Sequence, residues 1–412
     1  MSGHDAGPTA APRAADIVVI GGGVHGASLA YHLARKKAGR VVLVEKKFIA
    51  SGPTGRSTAL VRGFYAMDFF TRTSSAAAEM FRHWSDVIGG DGGPGFQQVG
   101  MLVLAGPDHA PHLRDNALRA QEIGAKVALI SAAEVKTLVP SVNVDDIALA
   151  SYEAESGYAD PSSTANALVN RARELGAVII QYERVESIRT AGQRVVGVRT
   201  ETQDIDAPVV INCGGLWADR LLCPLGIEIS ITPTRHQMCF FRRPSGFGTH
   251  PAIADTVSMT YMRPEHGDLT IHGLLAYDEV VDPDHYNEGA DPEQILRNAE
   301  RIAHRFPIME HGLAMGGYSG VYDVTPDHQP VLGAIPEYAG LYVDFGWSGH
   351  GFKHSPVIGD ILSDVVLHGK SADFDLTPFR WSRFREGDLL PRAGWIAPPH
   401  PKHRLQLHGI QS

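Results

Sequence analysis

The chain has 412 residues, of which 43% are hydrophobic and 20% charged, a composition typical of a globular protein with two or three domains. The net charge of −9 and the lack of a lysine or arginine run argue against a nucleic-acid partner. Three cysteines without a CxxC pair, and no window with the ~18 apolar residues of a membrane span, favour a cytoplasmic protein without disulfides or a membrane span. We expect residues 1–15, rich in Ala, Gly and Pro, to be a disordered terminus rather than a signal peptide.

A glycine turn near the N-terminus predicts a dinucleotide site. The apolar run 17–20 leads into glycines and then at once into a helix that includes Val24 and His25. In such a turn the first glycine allows a tight bend, the second lets the backbone approach a pyrophosphate, and the third permits close packing of helix on strand. These glycines are Gly21, Gly23 and Gly26. A second apolar run, 41–44, ends on Glu45 and Lys46, and Glu45 stands where an acid accepts hydrogen bonds from the adenosine ribose.

The following elements predict an α/β domain interrupted by an insert. Buried-strand patterns near 178–182 and 207–215 continue the first domain after the interruption. Strand-like runs in 96–150 and 226–320 predict a second, antiparallel sheet that covers a cofactor site. We therefore assign 16–95, 151–225 and 321–385 to a discontinuous first domain, 96–150 and 226–320 to a substrate domain, and 386–412 to a C-terminal tail whose role stays open.

A second glycine turn, 346–353, follows the predicted strand 341–345 and precedes a helix from about residue 355. Its glycines are Gly346, Gly349 and Gly351. A helix N-terminus at the pyrimidine edge of a flavin stabilises the negative charge that the reduced ring carries. An enzyme that uses NAD needs no such element, so this turn favours FAD over a nicotinamide cofactor.

Both turns, together with the blocks 56–65, 212–217 and 320–327, resemble the FAD-dependent amine oxidases of the D-amino-acid-oxidase superfamily, and most closely the sarcosine oxidase and glycine oxidase branch. The resemblance implies an α/β fold: a Rossmann-like, glutathione-reductase-like FAD-binding domain with an α+β antiparallel-sheet substrate domain. It also implies further cofactor contacts, at Ser57, Thr58, Val185, Cys213, Gly214, Trp217, His350, Phe352 and Lys353.

The same resemblance implies that Arg62 and Lys353 hold a substrate carboxylate, with Tyr65 and Tyr322 nearby. A guanidinium can donate two parallel hydrogen bonds to a carboxylate, and an ammonium adds a compact positive charge. Together they are suited to bind a carboxylate. Without the resemblance, a surface ion pair is the more usual role for such an arginine, and a place in the core is the more usual one for each tyrosine.

Some positions depart from the family pattern. Gly320 stands where related oxidases have a cysteine tether, and 54–56 lacks the tethering histidine of related dehydrogenases, so we expect FAD to be bound non-covalently. The strand 269–272 lacks the lysine that promotes oxygen reduction, and His272 is our candidate for part of that positive charge. The His350/His354 and His400/His403 pairs lack acidic or cysteine partners nearby, so no metal is predicted.

These observations lead to three hypotheses. The first is oxidation of the C–N bond of an amino acid or N-substituted glycine, with hydride transfer to flavin N5, hydrolysis of the imine and reduction of O2 to H2O2. The second is a flavin dehydrogenase of a D-amino acid or 2-hydroxy acid with an acceptor protein or quinone. The third is a non-catalytic or NAD-binding subunit of an oxidoreductase. Substrate identity and oligomeric state stay open, and a homo-oligomer is compatible with the sequence.

Overall fold

The computed structural model describes residues 12–275, 279–394 and 396–397. The predicted terminus up to residue 11, and His400 and His403, therefore lie outside the described residues. Within them the strands are, in chain order, β1 Ile17–Ile20, β2 Val41–Val44, β3 Leu60–Val61, β4 Met101–Ala105, β5 Ala128–Ile130, β6 Leu149–Glu153, β7 Gly157–Tyr158, β8 Val178–Ile180, β9 Val185–Ala191, β10 Arg194–Thr200, β11 Asp204–Asp206, β12 Val209–Asn212, β13 Thr232–Arg242, β14 Ala252–Asp255, β15 Thr260–Glu265, β16 Leu269–Leu274, β17 Glu279–Val280, β18 Leu313–Val324, β19 Val331–Ala334 and β20 Leu341–Phe345. The α-helices are α1 Val24–Arg35, α2 Asp68–Arg82, α3 Trp84–Val87, α4 Ala110–Glu122, α5 Ala132–Leu138, α6 Pro161–Glu174, α7 Ala218–Leu222, α8 Pro292–Arg305, α9 Ser355–His368 and α10 Arg383–Glu386.

The first layer is a six-stranded sheet in the order β19-β20-β12-β1-β2-β8. Strand β1 runs parallel to both β2 and β12, and only the edge strand β19 runs antiparallel to its neighbour β20. Both faces are covered, which is why β1 is a continuous apolar run. Val19 packs into the cluster of α1, α6 and α9, and Val18 packs into the opposite cluster beside the three-stranded sheet β9–β11.

The second layer is a nine-stranded sheet built from β4–β6 and β13–β18. Its pairs are antiparallel except for β14 with β4. The predicted combination of a Rossmann-like domain with an antiparallel-sheet domain is therefore confirmed. The predicted domain boundaries at 150 and 320 fall inside β6 and β18, because both strands continue past the edge of the insert.

The N-terminal end of the described chain is paired rather than disordered. The amide of Ala15 donates to the carbonyl of Asp206, and the amide of Asp206 donates to the carbonyl of Arg13. For residues 13–15 the predicted disorder is wrong, because these hydrogen bonds attach them to strand β11. No helix in the described part of the chain is long and apolar enough to cross a membrane.

Candidate active site

A cavity of about 1110 Å³ lies where the carboxyl ends of β1, β2, β12 and β20 face the nine-stranded sheet. Open α/β sheets bind ligands at this edge. The predicted cofactor residues that line it are Gly21, Gly23, Val24, His25, Glu45, Lys46, Ser57, Thr58, Val185, Cys213, Gly214, Trp217, Gly349, His350, Gly351, Phe352 and Lys353. The predicted substrate residues that line it are Arg62, Tyr65 and Tyr322.

The first glycine turn has the geometry of a pyrophosphate cradle. Gly21 has φ +104°, and a Cβ there would lie 2.5 Å from the carbonyl oxygen of Cys213. At Gly26 a Cβ would lie 1.9 Å from the carbonyl oxygen of Gly21, so this glycine packs the turn against the helix and does not line the cavity. At Gly23 a Cβ would meet only the hydroxyl of Thr54, at 3.2 Å. The space above Gly23 is therefore open to a ligand.

The adenosine end of the cavity is closed by side chains from both layers. Glu45 accepts hydrogen bonds from the amides of Gly22 and Lys47, at 2.6 and 2.8 Å, which fix its carboxylate at the end of β2. The ammonium of Lys46 lies 3.1 Å from the ring centre of Trp217, and burial lowers the pKa of Lys46 to about 8. Trp217 in turn donates to Asp284 of the insert at 2.9 Å. Sequence analysis missed Asp284, which sits in an irregular loop.

Two aspartates, the half-buried Asp323 and the buried Asp344, hold the second glycine turn. The amides of Gly346 and Ser348 donate to Asp323, at 2.7 and 3.2 Å, so Gly346 fixes the turn without lining the cavity. Burial raises the pKa of Asp323. Asp344 lies 2.9 Å from Nδ1 of His25 and accepts a hydrogen bond from the indole of Trp347 at 2.7 Å. The first helix and the second glycine turn are thereby linked.

Two buried cations surround one tyrosine at the other end of the cavity. The guanidinium carbon of Arg62 lies 3.6 Å from the ring centre of Tyr65, and the ammonium of Lys353 lies 5.8 Å from the same centre. Both side chains are 6% exposed. Burial, and then the charge of Arg62, lowers the pKa of Lys353 well below its usual value. An anion entering here would lower the electrostatic cost of both charges.

Glu153 of strand β6 lies behind this pair. Its carboxylate accepts hydrogen bonds from the amide of Gly63 at 2.6 Å and the hydroxyl of Ser156 at 3.1 Å. Burial raises the pKa of Glu153, and the charge of Arg62 opposes that shift. One carboxylate therefore partly balances two cations. Sequence analysis missed Glu153, because an acidic residue at a strand end carries no local signal of a distant partner.

An aromatic stack forms the wall on the nine-stranded sheet. The ring of His236 stacks on Tyr322 and on Tyr261, with ring centres 4.8 and 5.7 Å apart. Nε2 of His236 lies 3.0 Å from the hydroxyl of Tyr261. Burial lowers the pKa of His236 to about 4, so the ring is neutral at neutral pH. Tyr322 was predicted from the family pattern, whereas His236 and Tyr261 were missed.

The sequence model of the DAO family, described as FAD dependent oxidoreductase, matches residues 16–365. The chain belongs to this family. Mitochondrial sarcosine dehydrogenase of Mus musculus is 27% identical over 402 residues, which are 93% of this chain and 43% of the relative, so the chain spans less than half of that protein. Peroxisomal sarcosine oxidase of Homo sapiens is 28% identical over 390 residues, covering 90% of this chain and 96% of the relative. The solved L-proline dehydrogenase from P. horikoshii superposes with a TM-score of 0.85 at 26% identity, covering 92% of this chain and all of the other.

The residues of this DAO-family cavity fit FAD. The open space above Gly23 and the N-terminus of α1 would take the pyrophosphate. Glu45 would take the adenosine ribose, and the turn 346–353 would take the flavin ring. The cavity joins these parts and ends at Arg62 and Lys353.

Two of the predicted substrate-end roles change with the structure. His272 does not line the cavity: it is fully buried on the opposite face of β16, where its Nδ1 lies 2.5 Å from Oδ1 of Asn298 on α8. His272 pairs with Cys239 and Met262, which do not line the cavity, whereas the next residue, Gly273, pairs with the cavity residues Met238 and Tyr261. Because successive residues of a strand face opposite sides, His272 lies on the face turned away from the cavity. The predicted role of His272 as a cation beside the flavin is therefore wrong. The hydroxyl of Tyr65 is enclosed by protein, so its ring supports Arg62.

The C-terminal tail also contributes to the cavity, which sequence analysis did not predict. Arg392, Ala393, Gly394, Ile396 and Ala397 line it. Within the described part of the chain, no group of three or more His, Cys, Asp or Glu side chains is placed to hold a metal ion.

Proposed function

We propose that this protein oxidises the C–N bond of an amino acid or an N-substituted glycine. The observation that carries the proposal is the buried pair Arg62 and Lys353 at the end of the cavity where the turn 346–353 would hold the flavin ring. Relatives named for sarcosine support the same class of substrate.

Arg62 and Lys353 bind the substrate α-carboxylate, and their burial excludes water that would weaken the attraction. The ring of Tyr65 holds the guanidinium from one side, and Glu153 limits the cost of two neighbouring cations. When bound, FAD would supply the acceptor for the hydride that leaves the carbon next to the nitrogen. The neutral aromatic stack of His236 and Tyr322 faces the amine end of the substrate without adding a charge. Positioning by these groups supplies most of the rate enhancement. Water then hydrolyses the released imine to an amine and a carbonyl compound.

FAD is bound non-covalently in this proposal. Gly320 lines the cavity where a tethering cysteine would stand. Cys213 lies at the pyrophosphate end instead, and burial raises its pKa well above the usual value, which keeps the thiol protonated and unreactive. Acid precipitation followed by filtration should therefore release all of the flavin into the filtrate.

O2 is the proposed electron acceptor, with H2O2 as product. A second candidate, a dehydrogenase that passes electrons to a carrier protein or quinone, is favoured by one specific observation. Strand β16 and the residue after it present Leu274 and Leu275 to the cavity, and no cation from this strand lies beside the flavin end. A D-amino acid or a 2-hydroxy acid would use the same carboxylate-binding pair.

Anaerobic bleaching of the flavin tests the substrate class. N-alkyl glycines, D-amino acids and 2-hydroxy acids are mixed in turn with the purified holoenzyme, and the loss of the oxidised flavin bands is followed. We expect the N-alkyl glycines to bleach the flavin fastest, and bleaching by hydroxy acids alone would reject C–N oxidation. Turnover in air separates the acceptors: H2O2 formation supports the oxidase, whereas reduction of an artificial dye without H2O2 supports the dehydrogenase.

A further inference from the structure

The C-terminal strap, residues 390–394 and 396–397, is fastened across the substrate end of the cavity. The amide of Leu390 donates to the carboxylate of Asp327 at 3.1 Å, and the side-chain amide of Gln329 donates to the carbonyl of Pro391 at 2.8 Å. Further along, the amide of Ala66 donates to the carbonyl of Ala393 at 3.2 Å, and Asn116 donates to the carbonyl of Ala397 at 3.0 Å.

The residues that hold the strap are themselves buried. Asp327, Gln329 and Asn116 are each at most 5% exposed. Asp327 also accepts two hydrogen bonds from Arg383, at 2.8 and 2.9 Å, and Arg383 is fully buried. A charge-assisted pair of this geometry, protected from solvent, fixes the chain just before the strap. The strap is thus a built wall of the cavity and not a loose tail.

Arg392 is the charged residue of this wall. Its guanidinium donates to Nε2 of His328 at 3.1 Å, and the carbonyl of His328 accepts a hydrogen bond from Nε2 of His350 at 3.2 Å. The His350 ring centre is 6.0 Å from that of Tyr65, beside Arg62. This chain of contacts links Arg392, an exposed residue that lines the cavity, to the substrate end.

The charge of Arg392 is uncompensated. Its hydrogen-bonded partner is an uncharged ring nitrogen, and it forms no ion pair with a carboxylate of residues 12–275, 279–394 and 396–397. Asp323 and Asp344 line the same cavity, but backbone amides, His25 and Trp347 occupy their carboxylates. The substrate end therefore has one pair of cations inside and a separate cation at its rim.

We propose that the substrate carries a second acidic group, which Arg392 binds while Arg62 and Lys353 hold the first. The substrate class is then a dicarboxylic amine, such as an N-carboxyalkyl amino acid or an acidic amino acid. This inference rests on the proposed function for the first carboxylate. The strap supplies selectivity, because a neutral substituent in the same place gains no charge-assisted hydrogen bond.

Binding of amine-free probes to the holoenzyme tests the second site without turnover. Glutarate and adipate are compared with their monoamides, which have the same shape but one charge less, by calorimetry and by changes in the flavin spectrum. We expect at least one diacid to bind about tenfold more tightly than its monoamide, in line with one charge-assisted hydrogen bond. In Arg392→Gln the two should bind within about twofold of each other, and Arg392→Lys should recover part of the preference.

Arg385→Gln is the matched control, since Arg385 stacks on Trp381 and does not line the cavity. It should keep the full preference for the diacid. Equal binding of diacid and monoamide to the unaltered protein, or a preference that survives in Arg392→Gln, would overturn the second site. The proposed function fails separately: if no amine bleaches the flavin but the diacid preference depends on Arg392, C–N oxidation is rejected and the second site stands.

Discussion

The two ends of the cavity are built in different ways. The pyrophosphate end is a single stretch, 17–26, whose shape depends on backbone groups and on glycines without side chains. A Cβ at Gly23 would meet only the Thr54 hydroxyl, at 3.2 Å, whereas one at Gly26 would clash with the backbone. The substrate end is made of side chains from distant segments, including Arg62, Glu153 and Arg392. A site made of backbone depends on local sequence, whereas a site made of side chains depends on how the whole chain folds.

The largest effects are expected at the glycine turn. Gly26→Ala should prevent formation of a stable holoenzyme, because its Cβ would lie 1.9 Å from a backbone oxygen that cannot move without separating α1 from β1. Gly23→Ala should fold but lose FAD affinity on the order of 100-fold, since the methyl group occupies the space of the pyrophosphate. Thermal unfolding and flavin titration of the apoprotein measure the two effects.

Gly93→Ala serves as the control for both, because nothing lies within 4 Å of the new methyl group. If Gly23→Ala binds FAD as tightly as this control does, the turn is not the pyrophosphate site.

Removal of Arg62 should have the next largest effect. Arg62→Met keeps the apolar part of the side chain over Tyr65 but removes the charge and its hydrogen bonds to the substrate. Two hydrogen bonds to a charged group contribute roughly 3 kcal/mol, which corresponds to about a 100-fold loss in kcat/KM. Steady-state kinetics with the best carboxylated substrate and with its amide provides the measurement. A similar loss for both compounds would contradict carboxylate binding by Arg62.

Lys353 gives the substrate end a dependence on pH. Its pKa in the free site is held well below the usual value by burial and by Arg62, and a bound carboxylate raises it again. The complex therefore binds the proton more tightly, so the affinity for a carboxylate should fall as the pH rises through the pKa of the free site. His350, with a pKa near 3, and Tyr65, with a pKa near 12, do not titrate in between.

Propionate, which has no amine to titrate, is a suitable ligand for this measurement, with the flavin spectrum as readout from neutral to alkaline pH. Lys353→Met should bind it more weakly and without this decline. A decline that persists in the variant would assign the titration to another group.

The two ends of the cavity also differ in how far their residues can be predicted from the sequence. Gly21, Gly23 and Glu45 could be placed because their roles follow from residue type and spacing within one βαβ unit. Arg62, by contrast, came from family resemblance. His272 was misplaced because its face of β16 depends on strand register, which local sequence does not determine. The strap at 390–397 has no apolar periodicity, and only its tertiary contacts with Asp327 and Gln329 make it part of the site.

The smallest effect on activity is expected at His272, which belongs to the same sheet as the substrate wall but faces away from it. His272→Leu removes the hydrogen bond to Asn298 and leaves a buried amide oxygen without its partner, which costs about 1–3 kcal/mol of unfolding free energy. The double variant His272→Leu/Asn298→Leu should cost less than the sum of the single ones, because both polar groups are then absent. Denaturant titration measures stability, and kcat/KM in the same samples should stay within about twofold of the unaltered protein. A large loss of kcat with unchanged stability would mean that His272 acts on the flavin through the sheet. It would contradict the prediction that the His272 face of β16 has no part in catalysis.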